Sequence, residues 1–291
     1  MTRLLRPSSG QAYAEVIGDP IAHSKSPLIH NFWLGKLGID AEYRACHVRA
    51  EDLADYFARR RGDAEWRGCN VTIPHKIAAL DYVADPGGVR DTIGATNTVF
   101  RAGEDRIPIA TNTDSAGFCM PLDGIDLRGR EIVVVGAGGA ARAVLFALAQ
   151  MLGRGDRPRP PGAVVGPVTI LNRSPVKARA LLSAFGLAGC ALPLDAPLPP
   201  AALVANASSL GMVGQPPLNL DLAPLPDDAI VYDLVYAPLV TPLLAAAEAR
   251  GLRTIDGLAM LVGQAAAAFE MFFGQPAPRA HDVELRALLT T

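Results

Sequence analysis

"REIVVVGAGGAARAVLFALAQML", residues 130–152, sets four apolar residues, Ile132 to Val135, against a Gly-rich turn and an Ala-rich run of helical length. An unbroken apolar tetrad stopped by a turn reads as a strand buried on both faces. The turn carries G-x-G-x-x-A at Gly136, Gly138 and Ala141. Gly136 permits the tight strand-to-helix turn, Gly138 lets the backbone approach a pyrophosphate, and the small Ala141 lets helix and strand pack closely. Free N–H groups at the start of the helix favour an anion there. Glycines after a strand are often plain turn formers. The order strand, turn, amphipathic helix is what makes this stretch a dinucleotide site, with Gly136, Ala137, Gly138, Gly139 and Ala140 as its cradle.

Downstream, strand-like runs at "VTILN", "ALPLD", "LVANAS" and "AIVYDLV" are spaced for a doubly wound, Rossmann-type sheet. The second strand decides the cofactor. It ends in "NRSPVK", with Asn172, Arg173, Ser174 and Lys177 and no acid. An aspartate there would hold a free ribose hydroxyl and repel a 2′-phosphate, whereas a guanidinium binds that phosphate bidentately. Residues 128–179 also hold nine basic residues against two acidic ones. NADP is therefore expected over NAD. The Gly/Pro/Arg-rich "GRGDRPRPPGAVVGP", 153–167, cannot continue the preceding helix and reads as an exposed loop without a catalytic role.

Upstream, strands at "YAEVIG", "AEYRACHV", "CNVTI", "TNTVF" and "IPIAT" alternate with helical patterns at "SPLIHNFWLGKLG", "AEDLADYFARRR" and from about Ile77. That rhythm favours parallel βαβ units over a sandwich. The 291 residues suffice for two cores. A net charge of −2 gives no support for nucleic-acid or anionic-membrane binding. Four scattered cysteines without a C-x-x-C pair argue against a zinc ribbon or a disulfide framework, and no histidine cluster suggests a metal. The N-terminus has no signal-peptide pattern, and "GLAMLVGQAAAAFEMFF" carries Gln264 and Glu270, which favours a buried helix over a membrane span. A cytoplasmic protein is expected.

Polar residues stand where α/β sheets place ligands, at the strand ends. "IAHSKSP" offers Ser24 and Ser26 just before a helix expected from Pro27, a setting that suits a carboxylate, although a serine there also suits an N-cap. "CNVTIPHK" adds Asn70, Thr72 and Lys76, "GATNTV" adds Asn97, and "TNTDSAGF" adds Asp114. Any one of these could simply bond the backbone. Their recurrence at successive strand ends is the signal. Cys69 reads as a small buried hydrophobe rather than a nucleophile.

At this point the chain resembles the shikimate dehydrogenase family. The stretches that carry the likeness are "GDPIAHSKSP", "NVTIPHK", "GATNT", "NTD", "GAGGAAR", "NRS", "NASSLGM", "DLVYAPLVTPLL" and "GLAMLVGQAAAAFE", in the family's order from Gly18 to Glu270. The resemblance implies NADP-dependent interconversion of 3-dehydroshikimate and shikimate. By the same resemblance Ser24, Ser26 and Tyr236 hold the substrate carboxylate, and Asn70, Thr72, Asn97 and Gln264 hold its ring hydroxyls. Lys76 and Asp114 form the catalytic pair. Asn206 and Ser208, from the third cofactor loop, and Gly257 join the cofactor set.

The implied architecture is α/β: a substrate domain over 1–114, a Rossmann domain over 115–256, and C-terminal helices from 257 to 291 completing the first. A monomer or homodimer is expected. Two departures stand out: the loop 153–167 is long for the family, and Ser115 replaces the glycine that commonly follows "NTD". Two rivals remain at this stage, a quinate-oxidising paralogue and a non-catalytic shikimate sensor. "NRSPVK" speaks against an NAD-using relative, and an intact Lys76/Asp114 pair speaks against a sensor.

Overall fold

The computed structural model describes residues 10–102, 107–151 and 166–290. The loop expected over 153–167 thus lies outside the described residues, except for Gly166 and Pro167. The chain divides into two compact units, Met1–Thr113 with Ala265–Thr291, and Asp114–Gln264.

The first unit runs β1 (Ala12–Gly18), α1 (Ser26–Leu37), β2 (Ala41–His47), α2 (Leu53–Arg61), β3 (Trp66–Val71), α3 (Val89–Thr92), β4 (Thr98–Ala102) and β5 (Ile107–Thr111). The sheet order is β2-β1-β3-β4-β5. β1 pairs in parallel with β2 and β3, as the βαβ rhythm suggested, but β3/β4 and β4/β5 are antiparallel. For β4/β5 the physical reason lies in the connection. Only four residues separate Ala102 from Ile107, and a parallel return needs a dozen or more. Two further differences concern the region around Lys76. β3 stops at Val71, two residues short of the expected run, and the helix expected from Ile77 is a single 3-10 turn, Ala78–Asp81.

Register places the segments that carry the candidate site residues at one end of this sheet. Ile17 pairs with Val71, Asn70 with Thr98, and Thr98 with Thr111. The carboxyl ends of β1, β3 and β5 therefore share an edge with the amino end of β4.

Burial fixes the rest. Gly68 (φ +154°) has no room for a side chain, since a Cβ would meet Val99 O at 2.3 Å and the Phe272 ring at 2.6 Å. Glu15 on β1 is buried, yet its carboxylate accepts from Arg60 at 2.7 and 2.9 Å, Tyr56 at 2.9 Å and Arg44 at 3.0 Å. Four donors make a buried charge tolerable. Beside this cluster burial pushes the Cys69 thiol far up, which agrees with its reading as a hydrophobe. The C-terminal part of α8 (Gly257–Phe273) and α9 (Asp282–Thr290) complete the unit. Lys36 pairs with Glu284 at 2.7 Å, and Lys25 Nζ donates to Leu289 O, so α9 is fastened to α1 at both ends.

The second unit opens with α4 (Asp114–Cys119) and continues through β6 (Ile132–Val135), α5 (Gly139–Met151), β7 (Val168–Leu171), α6 (Pro175–Ala184), β8 (Gly189–Leu192), β9 (Leu203–Asn206), β10 (Ile230–Asp233), α7 (Pro242–Ala249) and β11 (Arg253–Ile255), then the start of α8. Its six strands are all parallel, in the order β11-β10-β9-β6-β7-β8. Counted from β6 this is 6-5-4-1-2-3, two βαβ halves diverging from neighbours β6 and β9, as in a Rossmann sheet. β6, β7, β9 and β10 are buried tetrads, which is why their apolar runs could be read directly. β11, only "RTI", carries no such run. α4 packs closely on α8, because a Cβ at Gly117 would meet Met260 O and Gln264 N at 2.7 Å. Among the described residues no helix is long and apolar enough to cross a membrane.

Candidate active site

In the first unit, Lys76 follows β3 through the segment Thr72–His75, and each link of that segment is fixed. Thr72 N donates to Ile17 O at 2.9 Å, and His75 N to Thr72 O at 2.8 Å. The buried His75 ring places Nε2 2.6 Å from Val48 O, a structural bond that explains this histidine. Lys76 itself is half-buried, and its carbonyl accepts from Thr96 N at 2.7 Å. Gly18 leaves space for Thr72: a Cβ there would stand 2.6 Å from Thr72 Cγ2.

Beside the lysine lies a buried amide–hydroxyl network. Tyr43 Oη donates to Asn70 Oδ1 at 2.6 Å, and Asn70 Nδ2 donates to Thr98 Oγ1 at 3.0 Å. Thr98 Oγ1 lies 3.0 Å from Asn97 Oδ1, which also accepts from Thr113 N at 2.7 Å. Thr113 is the residue before Asp114, so the chain leading to that acid is tied to the same network.

Ser26 is not an N-cap. It is the first residue of α1, Lys25 occupies the cap position, and Ser24 Oγ accepts from Ser26 N at 3.3 Å. Ser24 acts there as acceptor, so its own hydrogen remains to be donated. Lys25, between the two serines, is turned to the end of α9.

Ser24, Ser26, Asn70, Thr72, Lys76 and Asn97 thus belong to the first unit, and Asp114, Tyr236 and Gln264 to the second. Asp114 is buried at the first residue of α4. Gln264 is buried on α8 and donates to Leu261 O at 3.0 Å. Tyr236 is half-buried and follows Val235, whose N–H donates to Asp233 Oδ1 at 3.0 Å.

At the β6/β9 divergence, Gly136 has φ +112°, and a Cβ would stand 3.0 Å from Ala207 O. The left-handed backbone and the close approach both require glycine. Beyond its own chain neighbours, nothing among the described residues lies within 4 Å of a Cβ built at Gly138, and α5 begins at the next residue with Ala141 fully buried. Those features fit an anion at a helix N-terminus. β7 ends in Asn172, held by N–H to Leu192 O at 3.1 Å and by Nδ2 to Ser174 O at 3.0 Å. Arg173 is exposed and lines a groove of about 490 Å³ with Leu194, Asp195 and Leu210; Lys177 is exposed one turn into α6.

The basic excess over 128–179 carries less weight than the sequence suggested. Arg128 and Arg130 lie ahead of β6, at the end opposite the Gly-rich turn, and pair with Asp126 (2.6 Å) and Asp228 (2.7 Å). Three more arginines fall outside the described residues. Arg173 and Lys177 carry the phosphate reading.

A second hub was not legible as such. The Asn206 side chain spends all its capacity: Nδ2 donates to Leu210 O (3.0 Å) and Asp233 Oδ1 (2.9 Å), and Oδ1 accepts from Ser208 N (3.1 Å) and Ser208 Oγ (2.7 Å). Asp233 Oδ2 accepts from Thr241 Oγ1 at 2.7 Å, and Thr241 caps α7 through Leu244 N at 3.2 Å. Burial raises the Asp233 pKa, and these donors pull it back. The cluster shapes the loops after β9 and β10. Gly257 abuts it, since a Cβ would meet Leu234 O and Val235 O at 2.5 Å. A sequence signal that points to part of it is Thr241 before Pro242, an N-cap pattern.

Two family models match the chain: the shikimate dehydrogenase substrate binding domain over residues 16–99 and the shikimate 5′-dehydrogenase C-terminal domain over residues 257–282. The shikimate dehydrogenase (NADP(+)) of Sphingopyxis alaskensis is 64% identical over 277 residues, covering 95% of this chain and 96% of that protein. The crystal structure of shikimate 5-dehydrogenase from Thermus thermophilus in complex with NADP(H) and shikimate superposes with a TM-score of 0.80 at 35% identity, covering 96% of this chain and 99% of that one. Quinate dehydrogenase from Corynebacterium glutamicum in complex with NAD also gives 0.80, at 26% identity, over 96% of this chain and 99% of that one.

Proposed function

The chain belongs to the shikimate dehydrogenase family, and from that membership we propose how its residues divide the work. The reaction is the NADP-dependent interconversion of 3-dehydroshikimate and shikimate, a step toward chorismate and the aromatic amino acids. Bound NADPH supplies the hydride for reduction.

Reducing the ketone builds negative charge on the substrate oxygen. The Lys76 ammonium stabilises that charge and passes a proton from Nζ to oxygen; in the oxidising direction Nζ takes the hydroxyl proton. Asp114 is the carboxylate partner that orients it. Asn70, Thr72, Asn97 and Gln264 meet the ring hydroxyls, and Ser24, Ser26 and Tyr236 the carboxylate. The Gly136–Ala140 turn would hold the cofactor pyrophosphate, and Arg173 with Lys177 its 2′-phosphate. Asn172, Ser174, Ser208 and Gly257 complete that set. Asn206 contributes through the loop it shapes, because its own amide is spent.

One observation carries the reading. Lys76 is half-buried, with its carbonyl bonded to Thr96 immediately beside the Asn70–Thr98–Asn97–Thr113 network, so one lysine and several oriented polar groups share one end of a rigid sheet. The same reading takes the enzyme as cytoplasmic, a monomer or homodimer, in keeping with four free, dispersed cysteines.

The carboxylate assignment has a direct test. Ser24→Ala raises KM for shikimate by the equivalent of roughly 1–2 kcal/mol, the scale of one charge-assisted hydrogen bond. Shikimate carboxamide loses affinity in the wild type and much less in Ser24→Ala/Ser26→Ala. Equal losses in both proteins would mean that the serines serve only the start of α1.

A further inference from the structure

We propose that Tyr43 and Thr98 are positioning residues for substrate recognition: they lock the Asn70 amide so that it offers the substrate one acceptor and no donor. A ring hydroxyl must then donate to Asn70. The inference rests on the reading of Asn70 as a substrate contact.

Two backbone groups set the polarity of the network. Thr113 N–H can only donate, so the Asn97 side-chain atom 2.7 Å from it is the oxygen. Thr98 Oγ1 has a single hydrogen, spent either on that oxygen at 3.0 Å or on Thr113 Oγ1 at 3.1 Å. It therefore accepts from Asn70, and the Asn70 atom 3.0 Å away is the nitrogen Nδ2. The Asn97 carbonyl, which can only accept, lies 3.3 Å from the same nitrogen and imposes the same choice. Both Nδ2 hydrogens are thereby used. Oδ1 faces Tyr43, whose hydroxyl donates across 2.6 Å, and one lone pair of Oδ1 remains.

Tyr43 is built to hold that direction. It reaches from β2 past β1 to β3 and is buried throughout. Asn31 clamps its backbone, donating to Tyr43 O at 2.7 Å and accepting from Tyr43 N at 2.9 Å. Its ring stacks on His30 at 3.9 Å and 4° between planes, with Phe272 at 6.2 Å. Burial lowers the His30 pKa to about 3, so the imidazole under the ring is neutral at physiological pH. None of these groups is a substrate contact in the reading above. They determine which way a substrate contact points.

The test is a mutant cycle with shikimate and NADP+, with thermal unfolding followed alongside. Tyr43→Phe keeps the ring and its stack on His30 and removes only the hydroxyl. It raises KM about 5- to 10-fold, the scale of one buried hydrogen bond, and leaves kcat within about twofold. Thr98→Val reaches Asn70 from its other side, gives the same KM-selective pattern, and serves if Tyr43→Phe fails to fold. In an Asn70→Ala background neither substitution changes KM further, because the route through Asn70 is gone. If Asn70→Ala raises KM while both single variants keep the wild-type value, Asn70 orients unaided and the proposal fails. Undiminished effects in the Asn70→Ala background place the action of Tyr43 elsewhere and also overturn it. If Asn70→Ala itself leaves KM unchanged, the substrate contact is wrong and the inference falls with it.

Discussion

Lys76→Ala lowers kcat at least ~10²-fold in both directions while shikimate still binds, the usual cost of removing a general acid/base. The size of the effect follows from what the reaction asks of one side chain. Hydride arriving at a ketone carbon leaves charge on oxygen, and without a proton source that charge must be met by water. The neighbouring Asn and Thr side chains can bind a neutral hydroxyl but cannot deliver a full positive charge. The loss should fall on kcat because the charge exists only as the reaction proceeds, and binding of the neutral ketone needs no ammonium. The backbone at this position is held independently, through the Lys76 carbonyl and Thr96 N at 2.7 Å, so truncating the side chain should leave the segment in place. A variant with wild-type kcat and an unchanged unfolding temperature removes Lys76 from the chemistry.

Arg173→Ala should weaken NADP+ far more than NAD+, opening a gap of about 2–3 kcal/mol between them, the scale of a charge-assisted bidentate contact. Arg173 is exposed and lines an open groove after β7, so its charge is screened until a ligand covers it. That keeps the expected effect at the lower end for such contacts. NADP+ binding should also fall more steeply with added salt than NAD+ binding, since only NADP+ carries the extra phosphate. Competition calorimetry with 2′-phosphorylated and plain adenosine nucleotides separates this interaction from any effect at the nicotinamide. Equal weakening of both nucleotides would assign Arg173 to the adenine or to the groove surface rather than to the phosphate.

The second unit was largely legible because its strands announce themselves. Four buried tetrads, "IVVV", "VTIL", "LVAN" and "IVYD", are apolar enough to be read from composition, and the Gly-rich turn fixes which comes first. β11 escaped because "RTI" is too short and too polar to show a period, and only pairing with β10 makes it a strand. In the first unit the strands were found but their direction was not. Sequence rhythm suggested parallel crossovers, whereas the short connection after Ala102 forces β4 and β5 into a hairpin. The consequence reaches the site: Asn97 stands at the start of an antiparallel strand, not at the end of a parallel one, and so meets Asn70 across the sheet.

Candidate site residues could be singled out where a residue type is unusual for its place, as with Lys76 after a strand or "NRSPVK" without an acid. Residues proposed to hold another side chain in place could not. Tyr43 in "AEYRACHV" reads as an ordinary core aromatic, and its bond to Asn70 joins residues 27 positions apart. Asn206 gave the opposite difficulty. Its motif suggests a ligand contact, yet its amide is consumed by Asp233, Leu210 and Ser208, an arrangement that only the folded β9/β10 pair assembles.

Initial rates of nicotinamide reduction decide whether this chain oxidises shikimate with NADP+. Purified protein would be assayed with shikimate and with quinate, each with NADP+ and with NAD+. The shikimate–NADP+ combination is expected to give the highest kcat/KM by at least about tenfold, a margin one charge-assisted contact supplies. Higher kcat/KM with quinate and NAD+, or no turnover of shikimate with either cofactor by folded protein, would contradict it.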